Sequence, residues 1–188
     1  MAAPASVTRK QLAFAMRALA GADVVQLMWS GISFFDGKHY TINHRDVDAA
    51  NCSPLDTIKV PRDRLDEARS NHTAIGLHAA VHELTGRPCV AAVHNENSSW
   101  LAAQSLGGAY RGDCLPAYDL NAALFSLPGD VAQLDLPLYA EDPASWPAAL
   151  PSPSDVKAVV LPNRCTAVVG DTLEETVSLA LRTPHECI

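Results

Sequence analysis

No apolar run in this 188-residue chain approaches the length needed to cross a bilayer. No basic stripe is present either. Lysine and arginine number 14 against 21 acidic residues, a net charge of −7, which argues against binding nucleic acid or an anionic membrane. No Cys-x-x-Cys pair occurs. The five cysteines (Cys52, Cys89, Cys114, Cys165 and Cys187) are odd in number and widely spaced, so they are expected as reduced, mostly buried thiols. The N-terminal stretch "MAAPASVTRKQLAFAMRALAGADVV" spreads its charges and lacks the short apolar core of a secretion signal. A cytoplasmic protein is expected. No internal repeat and no domain linker breaks the chain. Hydrophobic residues at 48% and charged residues at 19% suit one compact domain over residues 1–188.

The patterns present alternate between helix and strand. "TRKQLAFAMRALAG" (8–21) places Leu12, Met16 and Leu19 on one helical stripe, with Gly21 as a stop. "VVQLMW" (24–29) is apolar and reads as a strand or a helix end. "SGISFFDGKHYTIN" (30–43) predicts a hairpin turning at Asp36 and Gly37. "DTIKV" (56–60) predicts a strand. Residues 71–85 predict a helix that ends at Gly86 and Pro88. "CVAAVHN" (89–95) predicts a buried strand, and "SSWLAAQSLG" (98–107) a serine-capped helix. The Pro-, Asp- and Ala-rich stretch 112–154 predicts a short helix and a strand among loops. "KAVVLPN" and "CTAVVG" predict two strands. A last helix starts near Thr172, with Thr172 and Glu175 as its capping box. The class is α/β or α+β.

Two clusters carry possible chemistry. His78 and His82 are four apart and share a helix face, a spacing that can bind zinc. The simpler reading makes His78 a packed helix histidine and His82 a surface one. His94 and Glu96 follow a buried strand and alternate by two, so both point to one side. They form either a polar pair that builds a site or two solvated strand-end residues.

These stretches resemble the class II aldolase and adducin superfamily. "LHAAVHELTGRPCVAAVHNENS" is similar to its central segment, which runs Leu/Ile-His, then Arg-Pro-Asp-Val, then Ala-Val-Val/Ile-His-Thr-His. Asn71 matches the Asn that opens the Leu-His helix in the adducin-like branch. "WSGISFFDG", "SPLDTIKV" and "VVLPNRCTAVVGDTLEET" resemble three further motifs in the same order, so the likeness spans roughly residues 8–180. It implies a three-layer α/β fold, with a central, mostly antiparallel sheet flanked by helices. It also implies a homo-oligomer, tetramer or dimer, that acts on a small molecule.

The family's lyases hold a divalent metal through three histidines, two from His-x-His and one from a later His-Gly turn. Here the resemblance places His94, Glu96 and Arg164 at those positions, with Asn163 matching and Cys165 in place of Gly. The family's acid/base Glu falls at Ala74, its phosphate-binding serines near His72 and Thr73, and its Arg at Phe35. Ser30, Gly31, His72, Thr73, Asn163 and Cys165 are the implied substrate-binding positions. An arginine is no metal ligand, and its fixed charge repels a divalent cation. It can form a forked pair with Glu96. Alternatively, Arg164 snorkels to solvent from its turn.

The expectation is therefore an enzyme with no metal and no other cofactor. His94, Glu96 and Arg164 would carry lyase, isomerase or cyclase chemistry through an enolate or carboxylate, on a non-phosphorylated metabolite. Two alternatives stand beside it. One is a non-catalytic scaffold domain like adducin's. The other is a metal enzyme with altered ligands, in which His72, His94 and Glu96 would bind iron.

Overall fold

The computed structural model describes residues 6–22, 24–25, 31–44, 47–65, 74–93, 131–133, 156–161 and 165–182. Helix α1 (Arg9–Gly21) starts at a capping box. The Thr8 side chain accepts from the Gln11 amide at 3.2 Å, and the Gln11 side chain accepts from the Thr8 amide at 2.9 Å. Its buried residues are Leu12, Ala13, Ala15, Met16 and Leu19, the stripe expected from their spacing.

Strands β1 (Gly31–Phe35) and β2 (His39–Asn43) form the predicted hairpin. The Asp36 carboxylate accepts from the Lys38 and His39 amides at 2.9 and 2.7 Å, and Gly37 takes φ of +93°, a value that favours glycine. Beside the turn the Phe35 and Tyr40 rings stack with centroids 4.4 Å apart. Strand β3 (Thr57–Pro61) pairs with β2. Helix α2 (Ile75–Thr85) ends at Gly86, whose φ of +68° is the left-handed cap expected there. The chain then turns directly into β4 (Cys89–Val93).

Strands β5 (Val131–Gln133), β6 (Ala158–Leu161) and β7 (Cys165–Gly170) complete the sheet, and helix α3 (Leu173–Arg182) follows. The Glu175 amide donates to Thr172 Oγ1 at 3.1 Å, the first half of the expected capping box. The returning half goes elsewhere. Glu175 Oε2 accepts from the Asp171 amide, and Oε1 takes Lys157 Nζ at 2.7 Å. That ion pair ties the chain just before β6 to the first turn of α3.

The seven described strands form one sheet in the order β3-β2-β1-β4-β7-β6-β5, antiparallel except where β5 runs beside β6. Along β4 the side chains alternate between two cores. Cys89, Ala91 and Val93 pack with residues of α1 and α3, while Val90 and Ala92 pack with Val81 and Leu84 of α2. Helices therefore cover both faces, and the expected three-layer arrangement is present. Fully buried side chains such as Leu12, Leu19, Ile32 and Ile75 each contribute about 2 kcal/mol of burial. Cys52 and Cys89 are buried free thiols, as expected. Among the described residues, no helix is long and apolar enough to cross a membrane. The predicted helix over 98–107 lies outside the described residues, as do residues 26–29 of the stretch 24–29 read as a strand or a helix end.

Candidate functional site

The register brings four chain ends to one end of the sheet. Gly31, the first residue of β1, pairs with Ala92. Val93, the last residue of β4, pairs with Thr166 near the start of β7. Cys165, the first residue of β7, pairs with Leu161, the last of β6. Helix α2 runs antiparallel to β4, because Gly86 leads through Pro88 to Cys89, and the Pro88 carbonyl accepts from Phe35 at the opposite end. Eleven helical residues and five strand residues each span about 16 Å, so the start of α2 returns to the end where β4 finishes.

Each predicted site residue adjoins one of these ends in sequence. Ser30 precedes β1, and His72 and Thr73 precede the start of α2. His94 and Glu96 follow β4, and Asn163 and Arg164 precede β7. All seven lie outside the described residues, as does the Cys165 side chain.

Gly31 is described, and the structure gives it a packing role. A Cβ there would meet Asn43 Oδ1 at 2.6 Å. That oxygen is engaged with the Ile32 amide at 3.0 Å, so Asn43 clasps the first residues of β1 and needs the missing side chain. Thr166, beside Val93, is buried, and its hydroxyl has no hydrogen-bond partner among the described residues.

The polar cluster that the structure does display lies on the α2 face, set back from this end. Ser33 Oγ is 2.7 Å from His78 Nδ1 and 2.8 Å from His82 Nε2, and all three residues are buried. His82 Nδ1 is 2.7 Å from the Arg87 carbonyl oxygen. A carbonyl only accepts, so Nδ1 of His82 carries the proton. Burial pulls the His82 pKa down to about 4, against the raising effect of that backbone bond, so the ring is neutral at pH 7. The Tyr40 and Phe35 rings, with centroids 5.5 and 6.0 Å away, are part of the apolar surround.

Two expectations are corrected here. His82 is not a surface histidine; it is 3% exposed. Nor is the pair arranged to chelate zinc, because Ser33 and the Arg87 carbonyl take both ring nitrogens of His82. Sequence reasoning missed Ser33. Its signal was a small polar residue at a strand-interior position between the apolar Ile32 and Phe34, on the face that meets the two helix histidines.

A family model described as "Class II Aldolase and Adducin N-terminal domain" matches residues 10–187. The fold is similar to an aldolase II superfamily protein from Pseudomonas syringae at 18% identity and TM-score 0.70, covering 96% of this chain and 72% of that one. It is also similar to L-fuculose 1-phosphate aldolase from Glaciozyma antarctica, at 15% identity and TM-score 0.68, covering 95% and 70%. The L-fuculose-1-phosphate aldolase from Thermus thermophilus superposes at 14% identity and TM-score 0.66, covering 94% and 88%. No curated protein sequence matches the chain.

Proposed function

The chain belongs to the class II aldolase and adducin family, and from that premise we propose that it is an aldolase-like enzyme whose site works without a metal. The proposed reaction is lyase, isomerase or cyclase chemistry through an enolate, on a small non-phosphorylated carbonyl compound. The observation that supports it most is the convergence of the strand ends at Gly31, Val93, Leu161 and Cys165 with the start of α2. A site at that end draws on His94, Glu96 and Arg164 together.

The donor set does not fit the family's three-histidine metal. It offers one imidazole, one carboxylate and one guanidinium, and the guanidinium has no lone pair to give. In the proposed mechanism Arg164 stabilises the oxyanion that develops as the substrate enolises. His94 takes the proton from the carbon next to the carbonyl and returns it to the same or another carbon, with Glu96 fixing the ring or pairing with Arg164. The family's phosphate-binding serines are replaced at His72 and Thr73, which favours an unphosphorylated substrate. A homo-oligomer in a soluble setting belongs to the same proposal.

The experiment is solvent exchange. Dihydroxyacetone, hydroxypyruvate and pyruvate are incubated with untagged protein in D2O, and the loss of carbon-bound protons is followed by 1H NMR. Exchange above the buffer rate that survives chelation and falls at least about a hundredfold in both His94→Ala and Arg164→Ala supports the reading. No exchange by the wild type on any of these compounds, or exchange that requires added zinc, iron or manganese, rejects it.

A further inference from the structure

The His82–Ser33–His78 chain has a direction set by one carbonyl. With its proton on Nδ1, neutral His82 presents a bare Nε2, and the Ser33 hydroxyl donates to it at 2.8 Å. Serine has a single proton, so at 2.7 Å from His78 its oxygen can only accept, and His78 Nδ1 must carry hydrogen. A neutral His78 then holds its lone pair on Nε2. The alternative tautomer would set two lone pairs against each other at a buried position.

Position gives this polarity a use. Ser33 lies two residues inside Gly31, about 7 Å from the end of the sheet where the chain ends converge. His78 sits one turn into α2, its amide bonded to the Ala74 carbonyl at 2.9 Å. Helical side chains tilt toward the helix N-terminus, which for α2 is that same end. His82 follows His78 by about one turn, farther along α2 from that end.

We propose that Ser33 and His82 are positioning residues that fix His78 as an Nδ1–H imidazole, and that His78 in turn offers its Nε2 lone pair to a proton-bearing protein group at the site end of the sheet. His78 is fully buried, so it acts through the group it holds and is itself a positioning residue. Its catalytic consequence rests on the enolate reading above; the tautomer does not.

The test combines histidine 15N NMR with the exchange assay. In the wild type, His78 and His82 are expected as single Nδ1–H tautomers, assigned by the loss of their signals in His78→Gln and His82→Gln. Ser33→Ala should release His78 to averaged ring shifts and slow exchange about tenfold or more, while Ser33→Thr, which keeps the hydroxyl, restores both. A purely structural serine would change stability and leave the tautomer alone. His78 found as Nε2–H in the wild type overturns the proposal without any variant. So does a Ser33→Ala protein, or a Ser33→Gly protein if alanine does not fold, with wild-type His78 shifts. If the wild type catalyses no exchange at all, the enolate reading falls, and the His78 tautomer still decides the positioning claim.

Discussion

The imidazole of His82 is joined to the carbonyl oxygen of Arg87 at 2.7 Å, across the turn that carries the chain from α2 into β4. The contact links the helix C-cap to the buried polar chain. Burial of the same ring makes the stability of the domain sensitive to acid, against the opposing effect of that bond. The His82 pKa is pulled down to about 4 by burial, while in the unfolded chain it returns to about 6.5. Between these values the unfolded state binds the extra proton, so stability rises with pH. The contribution is fully present above about pH 6.5 and is lost as pH falls toward 4. Its upper bound is about 3 kcal/mol. Urea unfolding at pH 7.5 and pH 5 should show a fall in midpoint that shrinks in His82→Gln. A variant that keeps the full pH dependence would place the titration elsewhere.

Gly31 and Asn43 give a second expectation. A methyl group at position 31 would sit 2.6 Å from Asn43 Oδ1, which must then leave the Ile32 amide. Gly31→Ala should destabilise the domain by about 1–3 kcal/mol, from the lost buried bond and the displaced side chain. If the clash is the cause, adding Asn43→Ala should cost much less in the Gly31→Ala background than in the wild type, a coupling that a double-mutant cycle on unfolding free energies measures.

The sheet was legible in the sequence wherever alternation and turn chemistry agreed. The hairpin at Asp36 and Gly37, the stop at Gly86 and the start of α3 at Thr172 were all readable from local residues, because each is fixed within three or four positions of itself. The buried polar chain was not. His78 and His82 could be placed on one helix face by spacing, but what lies against that face is set by a strand some 45 residues earlier. Without Ser33 in view, the pair reads as a metal motif or as unrelated histidines. The Glu175 carboxylate shows the same limit in small. Its helix-capping role was readable, while its diversion to Asp171 and Lys157 depends on packing between elements.

Thr166 supplies a third prediction. Its hydroxyl is buried next to Val93 and unmet among the described residues, and such a group costs about 1–3 kcal/mol of desolvation. Valine has nearly the same shape and no polar atom. Thr166→Val should raise the thermal midpoint, or leave it unchanged, where most core substitutions lower it. A loss of more than about 1 kcal/mol would mean that the hydroxyl is engaged in the native protein. Thr166→Ser keeps the oxygen and removes a methyl group, so it should be less stable than either.

The charge exchange proposed for the site gives the last prediction. If Arg164 holds the place of a metal and Glu96 is its counter-charge, restoring histidine at both positions should restore a ligand set. Glu96→His with Arg164→His leaves three imidazoles counting His94, a set suited to zinc with an open fourth position. The double variant should bind zinc at one equivalent by elemental analysis after dialysis, and the wild type should bind less than a tenth of that. Neither single change should match the double variant. Glu96→His leaves the guanidinium facing the cation, and Arg164→His leaves a site of two imidazoles and a carboxylate, which still takes a divalent ion more weakly. Zinc at full occupancy in the wild type would show that Arg164 points away from the ligands, and the metal-free chemistry would have to be abandoned.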